Sequence, residues 1–458
     1  MKWGYNNLQF IRPIRWLVSL LNDQVVPFKI LDVEAGRTTR GHRFLGHDVT
    51  LKKASDYVDA LYQEFVIVDP TKRKQVINDQ IDAIVEEHDW VIDKDPDLLE
   101  EVTNLVEWPT AFAGSFDKKY LVLPDEVLIT SMKDNQRFFY LRDHAGNLLP
   151  YFIAVRNGNK EYLENVIKGN ERVLVPRLED AKFFYEEDQK LTIDQYVDRL
   201  KRVSFHDKIS SMYDKMQRTA VIARLIGQRL GLSADELADL DRAAHIYKFD
   251  LTTQMVGEFA ELQGVMGEIY AKLFGEKDDV AVAIREHYMP ISAEGALPQT
   301  KLGAILAIAD KLDSILSFFA VGMIPSGSND PYALRRQAFG IVRIINDRGW
   351  HLSLLGIQPE LIKALAAAKV VTNFDLNQNA PAVRQFFLDR MKQFFSGQKL
   401  RHDIIDAVTD TKDDDIENIF EAATTINDHK DDGNFKDAVE ALTRVVRISK
   451  KGKQESTP

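Results

Sequence analysis

GAILAIADKLDSILSFFAVGMIPSGSNDPYALRRQAFGIVRII, residues Gly303 to Ile345, is the stretch whose reading decides the fold. Apolar residues recur at helical spacing through its first half, which predicts a helix over Leu302–Ala320 with Asp310 turned inward. A polar turn, Ile324 to Asn329, follows. Asp330-Pro331 then reads as an N-cap with proline at the first position of a second, basic helix over Pro331–Ile345. Two helices joined by a short turn place this stretch in an all-α domain.

Upstream, Tyr213, Met216, Ala220, Ala223, Leu225, Ile226 and Leu230 form one stripe that stops at Gly231, and further helices fit Glu236–Tyr247, Leu262–Phe274 and Asp278–His287. The helical region starts near Leu191. Before it, from Met1 to about Lys190, β-rich runs at Phe65–Val68, Ala111–Phe116, Leu121–Leu123, Arg137–Leu141 and Tyr151–Val155 alternate with helical segments near Ala54–Leu61 and Lys72–Glu87. The expected architecture is multidomain α+β: a mixed α+β region over 1–190, an all-helical domain over 191–350, a linker over 351–380, and a partial helical domain over 381–448. Helices within or after the linker fit Glu360–Ala368, Ala380–Phe395, Arg401–Val408, Asp413–Asn427 and Phe435–Ile448. The polar tail 449–458 is expected to be disordered.

A chain of 458 residues with 45% hydrophobic residues can bury large cores. It contains no cysteine, which removes disulfides, thiolate metal sites and cysteine nucleophiles. No run reaches the ~20 apolar residues of a membrane span, and the first thirty residues do not resemble a signal peptide; a cytoplasmic protein is expected. The net charge of −11 argues against a protein that coats nucleic acid indiscriminately. Local basic clusters remain: Arg37, Arg40 and Arg43; Arg335, Arg336 and Arg343; and Arg444, Arg447, Lys450 and Lys451.

GRTTRGHRFLG, Gly36 to Gly46, gathers Arg37, Thr38, Arg40, His42 and Arg43 on a glycine-bearing loop. Guanidinium forks and hydroxyls suit phosphate oxygens, and small residues let backbone approach them. The alternative is a solvated turn whose charges pair locally. GNERVLVPRLEDAKFFY, Gly169 to Tyr185, reads as a salt-bridged helix burying Leu174, Leu178 and Phe183.

No phosphate loop, HExxH or GxSxG motif is present, nor the HIGH and KMSKS signatures of one synthetase class. The helical domain resembles the HD superfamily of metal phosphohydrolases. IREHYMP at Ile284–Pro290 and ILAIADKLDSI at Ile305–Ile315 are similar to its second half, with Asp310 at the final ligand position. Tyr247 and Lys248 stand where its His-Asp pair belongs, and the Lys215 to Arg218 region lacks histidine. An ammonium repels a divalent ion, so Asp310 is expected to pack or hydrogen-bond, and no metal, catalytic or cofactor residue is assigned. The roles of Asp310 and His287 stay open.

WGYNNLQFIRPIRWLVSLL, GRTTRGHRFLG, LVEWPTAFAGSFDKKYLVLPDEVLITSMKDNQRFFYL (Leu105–Leu141), GNERVLVPRLEDAKFFYEED, MVGEFAELQGVMGEIYA (Met255–Ala271) and SNDPYALRRQAFGIVRI (Ser328–Ile344) together resemble the β-subunit family of bacterial tetrameric glycyl-tRNA synthetase. That resemblance implies a non-catalytic ligase subunit. It would recognise and position tRNA(Gly) while an α subunit, in an α2β2 heterotetramer, uses ATP and Mg for glycylation. It also implies an N-terminal region akin to the phenylalanyl enzyme's β subunit, an HD-like middle domain, and an end resembling a synthetase anticodon-binding domain. The family's chain extends beyond both ends of the match, so the sequence reads as a fragment. The rival readings are an HD-type metal-dependent phosphohydrolase and a scaffold for α that does not touch RNA.

Overall fold

A computed structural model of the chain describes residues 2, 7–9, 12–368, 370, 374–411 and 413–451. The chain divides into two compact units, Met1–Glu186 and Glu187–Pro458.

The first unit is mixed. Short strands occupy its start, among them Val33–Gly36, Thr38–Arg40 and Asp48–Thr50, followed by helices α1 (Tyr57–Gln63), α2 (Pro70–His88), α3 (Pro96–Leu105) and α4 (Asp125–Gln136) and by most of α5 (Leu163–Asp188). Asp-Pro pairs start both α2 and α3. The Asp69 carboxylate accepts from Thr71 N at 2.8 Å and that of Asp95 from Asp97 N at 2.8 Å, while Pro70 and Pro96 sit where no amide proton is needed.

A four-stranded antiparallel sheet runs in the spatial order Val91–Ile92, Phe139–Arg142, Leu148–Asn157, Pro109–Ser115. Its alternation sorts side chains to two faces. Phe139, Leu141 and Ile153 pack with Ile77 and Ile81 of α2 and Leu98 and Val102 of α3. On the other face the rings of Phe138 and Phe152 stack at 4.3 Å. Gly114 pairs across the ladder with Phe152. A Cβ at Gly114 would stand 2.4 Å from Cζ of that ring, so only glycine lets the ring lie across the strand.

The second unit is helical: α6 (Ile193–Arg199), α7 (Met212–Arg229), α8 (Ala234–Ile246), α9 (Gln254–Glu258), α10 (Val265–Leu273), α11 (Asp278–Glu286), α12 (Lys301–Ala320), α13 (Leu334–Arg348), α14 (Leu354–Ala367), α15 (Ala380–Gly397), α16 (His402–Thr409), α17 (Ile416–His429) and α18 (Phe435–Lys451). The decisive stretch forms its axis. Every residue from Leu302 to Ala320 is buried, and α12 is surrounded by α7, α8, α11, α13 and α15. A helix enclosed on all sides needs an apolar surface all round, which the sequence supplies apart from Asp310, Lys311, Asp313, Ser314 and Ser317.

Several local expectations are corrected. Phe65–Val68 is no strand: Phe65 has φ 62°, and Ile67 N donates instead to Glu107 O at 2.9 Å. Leu121–Leu123 falls at the end of a 3-10 turn, Lys118–Val122. In α5, Leu174, Leu178 and Ala181 are buried, whereas Phe183 is 54% exposed; five residues beyond Leu178, it has rotated off the stripe. Helix α13 begins at Leu334, so Pro331 lies in the turn. The Asp330 carboxylate still reaches the helix start, accepting from Leu334 N and Arg335 N at 2.9 Å each. Within the expected linker α14 starts at Leu354, ahead of the expected Glu360, and α18 runs three residues into the expected tail, of which 452–458 lie outside the described residues.

Gly114→Ala should lower the melting temperature of the chain, the overpacking costing about 1–3 kcal/mol. Thermal unfolding followed by circular dichroism tests this, and an unchanged transition would show that the ring moves aside freely.

Candidate functional site

The interior of the helical unit carries an unusual density of charge, delivered by four neighbouring segments. Helix α7 brings Lys215, Arg218 and Thr219; the end of α8 brings Tyr247 and Lys248; the end of α11 brings His287; α12 brings Asp310, Lys311, Asp313 and Ser314. All are buried. Lys215 Nζ donates to Asp310 O and Ser314 Oγ at 2.9 Å and to Asp313 Oδ2 at 3.2 Å, and lies 3.1 Å from Asp310 Oδ1. Arg218 grips Asp313 with two parallel bonds, Nε to Oδ1 at 2.7 Å and Nη2 to Oδ2 at 3.1 Å.

Asp310 Oδ1 accepts from the Tyr247 hydroxyl at 2.8 Å and has Lys248 Nζ at 3.9 Å. Burial pushes the Asp310 carboxyl up, but the charges of Lys215, Lys248 and Lys311 outweigh it and hold the group well below the usual carboxylate range. Asp310 is thus a hydrogen-bonding residue.

Burial pushes the Lys248 ammonium down to about 8, and that of Lys311 to about 7. Lys311 Nζ donates to the carbonyls of His287 at 2.9 Å and Met289 at 2.8 Å. His287 is held neutral by burial and by the Lys248 charge; its Nδ1 faces the Ile284 carbonyl and its Nε2 has no hydrogen-bond partner among the described residues. Asp250, buried nearby in sequence, is pushed up to about 6 by burial.

The donor set does not fit a divalent metal. Around Asp310 the positions suited to ligands hold an ammonium, a phenol and a second ammonium, and a cation placed among them meets like charge on two sides. Among the described residues, no group of three or more histidine, aspartate and glutamate side chains converges as metal ligands would.

The Gly36–Gly46 loop lies in the first unit, and the structure divides its residues into two kinds. His42 is only 2% exposed. Its Nδ1 accepts from Phe44 N and Leu45 N at 3.3 Å each, so Nε2 carries the proton and donates to Asn157 Oδ1 at 3.1 Å. Both ring nitrogens are used inside the fold, and His42 is corrected from a phosphate contact to a residue that shapes the loop. Arg37 is half-buried, its guanidinium donating to Leu51 O at 3.2 Å and Asp23 O at 3.1 Å. Gly41 and Gly46 are small for an internal reason, since a Cβ at either would strike Glu64 at 2.5 or 2.4 Å.

Thr38, Arg40 and Arg43 are exposed. Thr38 Oγ1 lies 3.2 Å from Thr50 Oγ1. Arg40 stands 5.3 Å over the Trp16 ring and 3.4 Å from Asp48 in an open surface pair, which holds it weakly. Arg43 stands 5.6 Å from the Phe44 ring, itself 84% exposed.

In the second unit Arg343 donates to Ala293 O at 2.7 Å and Gly295 O at 3.0 Å, which pins a loop. Arg335 is half-buried and Arg336 exposed. Arg444 and Arg447 are exposed on α18, Arg444 lying 3.8 Å from Glu440; the side chains of Lys450 and Lys451 lie outside the described residues. The interior lattice of Lys215, Arg218 and Asp313 escaped the sequence reading, although Lys215 and Arg218 on one helix and Asp310 and Asp313 on another share an i,i+3 spacing that could have paired them.

A family profile described as glycyl-tRNA synthetase beta subunit matches residues 1–410. The chain belongs to the glycyl-tRNA synthetase β-subunit family. It is 77% identical over 454 residues to the glycine–tRNA ligase beta subunit of Limosilactobacillus reuteri (strain DSM 20016), covering 99% of this chain and 66% of that protein. It is 70% identical over 452 residues to that of Limosilactobacillus fermentum, covering 99% and 65%. The chain therefore spans slightly less than two thirds of these relatives. Among the described residues no helix is long and apolar enough to cross a membrane.

Two outcomes are expected of this β-subunit-family chain. Lys215→Met should destabilise it by about 3–5 kcal/mol by leaving Asp310 and Asp313 under-compensated, measurable as a lower urea midpoint; a loss below about 1 kcal/mol would mean that the lattice is dispensable. The second concerns pH. An unfolded lysine titrates near 10.4, so between about pH 7 and that value the unfolded chain binds protons that folded Lys248 and Lys311 have shed. Their contribution to stability is complete above the unfolded value and is lost as pH falls through about 8 and about 7. Lys311→Met should flatten the rise in urea midpoint between about pH 7 and pH 9 relative to the unsubstituted chain; parallel curves would remove Lys311 from the titration.

Proposed function

We propose that this chain is the tRNA-binding part of a glycine–tRNA ligase β subunit: a non-catalytic, cytoplasmic ligase component that recognises tRNA(Gly) and positions it for ATP- and Mg-dependent glycylation by an α subunit in an α2β2 heterotetramer. The observation that carries this reading is the family match over residues 1–410, joined to relatives that are named as β subunits of that ligase. The middle of the helical unit is read as an HD-like domain turned from metal chemistry to support.

The geometry adds a mechanism. Arginine binds phosphate through a fork, and a fork already filled by carbonyls has little left to offer. Arg37 and Arg343 are filled in this way, while Arg40, Arg43, Arg336 and Arg447 are exposed. These four, with Thr38 as a neutral donor, are assigned to the RNA backbone. They would supply salt-dependent affinity and fix orientation, leaving base reading to other groups. An interior of paired charges supports this role better than hydrolysis, because Lys215 and Lys248 occupy the space beside Asp310 that a catalytic metal would need.

The test is a titration of the chain with tRNA(Gly) and an unrelated tRNA at several salt concentrations. Selective binding that weakens with salt is expected. Arg40→Ala/Arg43→Ala should reduce the slope of log affinity against log salt by about two, and Arg37→Ala should act on loop stability instead. A folded chain that binds neither tRNA would favour the scaffold reading.

A further inference from the structure

The N-terminal unit contains a cavity of about 560 Å³ that none of the basic clusters borders. Its size lies within the ~300–1,000 Å³ range of small-ligand sites. Val58, Val66, Val68 and Val76 line it together with the rings of Tyr62 and Trp108. Trp108 is held in place: its ring meets Tyr62 edge-on at 5.2 Å and Phe65 at 5.4 Å, and its backbone N donates to Asn157 Oδ1 at 3.1 Å. Tyr62 keeps 53% of its surface open. The site thus offers an apolar floor and an aromatic wall with a free face.

Three charged side chains also line the cavity, Asp59, Lys72 and Lys160, and among the described residues none of them makes an ion pair or a side-chain hydrogen bond. The fourth, Asp69, is occupied as the N-cap of α2. A purely apolar ligand would use none of the three. An amino acid would use both signs of charge but leave the aromatic wall and much of the volume idle. A ribonucleotide uses all of it: a base presents a π-face to aromatic rings, ribose hydroxyls donate to a carboxylate, and a phosphate is matched by ammonium groups.

We propose that this cavity binds a ribonucleotide, with the base against Tyr62 and Trp108, the ribose hydroxyls at Asp59 and the phosphate between Lys72 and Lys160. The ligand chemistry is shared by a free mononucleotide and by an unpaired nucleotide of an RNA strand. The site is independent of the arginine surface assigned above, since neither Arg40 nor Arg43 lines it.

The chain is titrated with adenosine 5′-monophosphate, with adenosine and with a single-stranded tetraadenylate, each followed by isothermal calorimetry. Saturable binding of the mononucleotide identifies a free nucleotide as the ligand; binding of the tetranucleotide alone identifies an RNA strand. Lys72→Glu/Lys160→Glu, at two exposed positions, should weaken the phosphate-bearing ligand about tenfold or more while sparing adenosine, and Tyr62→Ala should weaken every ligand that binds by about tenfold. Arg40→Ala/Arg43→Ala should leave the mononucleotide affinity unchanged, which keeps this inference apart from the tRNA reading. No binding of any probe, or unchanged binding in both cavity variants shown to be folded by circular dichroism, would overturn it.

Discussion

The helical unit depends on Lys215. From α7 its ammonium reaches two acceptors at residue 310, one at Asp313 and one at Ser314, which together make one turn of α12. A buried ammonium left unmatched would cost several kcal/mol, so the two helices are compatible only in a register that brings all four oxygens to the same point. Arg218 repeats the constraint one turn along α7 through its two bonds to Asp313. Sliding either helix by a residue would separate charges that the interior cannot solvate. Such lattices add little net stability over well-packed apolar residues, and their effect here is to fix how the axis of the unit sits among its neighbours.

That constraint also decides the chemistry. In a metal site the positive charge is borrowed from an exchangeable ion; here it is carried by the chain itself, in Lys215 and Lys248. Tyr247 completes the shell, its hydroxyl bridging from Asp310 towards Thr219 Oγ1 at 3.1 Å. The lowered values of Lys248 and Lys311 show the cost of gathering so many cations, because burial and the neighbouring ammoniums disfavour each charge by more than the Asp310 carboxylate favours it.

How much of this was legible varies with the range of the interaction that decides it. Helices α7, α8, α12 and α15 and the longer strands were readable because period and capping are local properties. Phe65–Val68 was misread because its β-branched run has the composition of a strand, yet no neighbouring strand pairs with it and the chain turns at Phe65 instead. Phe183 was misplaced by phase, one position in a helix whose stripe passes through Ala181. The roles of the arginines and of His42 were the least legible. His42 is decided by Asn157, 115 residues away, and Arg343 by carbonyls 48 and 50 residues away. A motif dense in arginine and histidine looks alike whether its side chains face solvent or hold the fold together, and only the partners separate the two cases.

The separation bears on how a chain of net charge −11 would bind an RNA without binding every RNA. Broad positive fields give affinity to any phosphate backbone, and an acidic protein lacks them. With Arg37 and Arg343 turned inward, the exposed forks of the three basic clusters belong to separate elements, Arg40 and Arg43 in the Gly36–Gly46 stretch, Arg336 on α13 and Arg444 and Arg447 on α18. Each contributes a contact only where a phosphate is presented at its position, and the surrounding carboxylates disfavour a backbone that approaches elsewhere. Under the proposed function, selectivity would then come first from the shape of the folded RNA, and Arg37 would serve it by keeping the stretch that carries Arg40 and Arg43 in place.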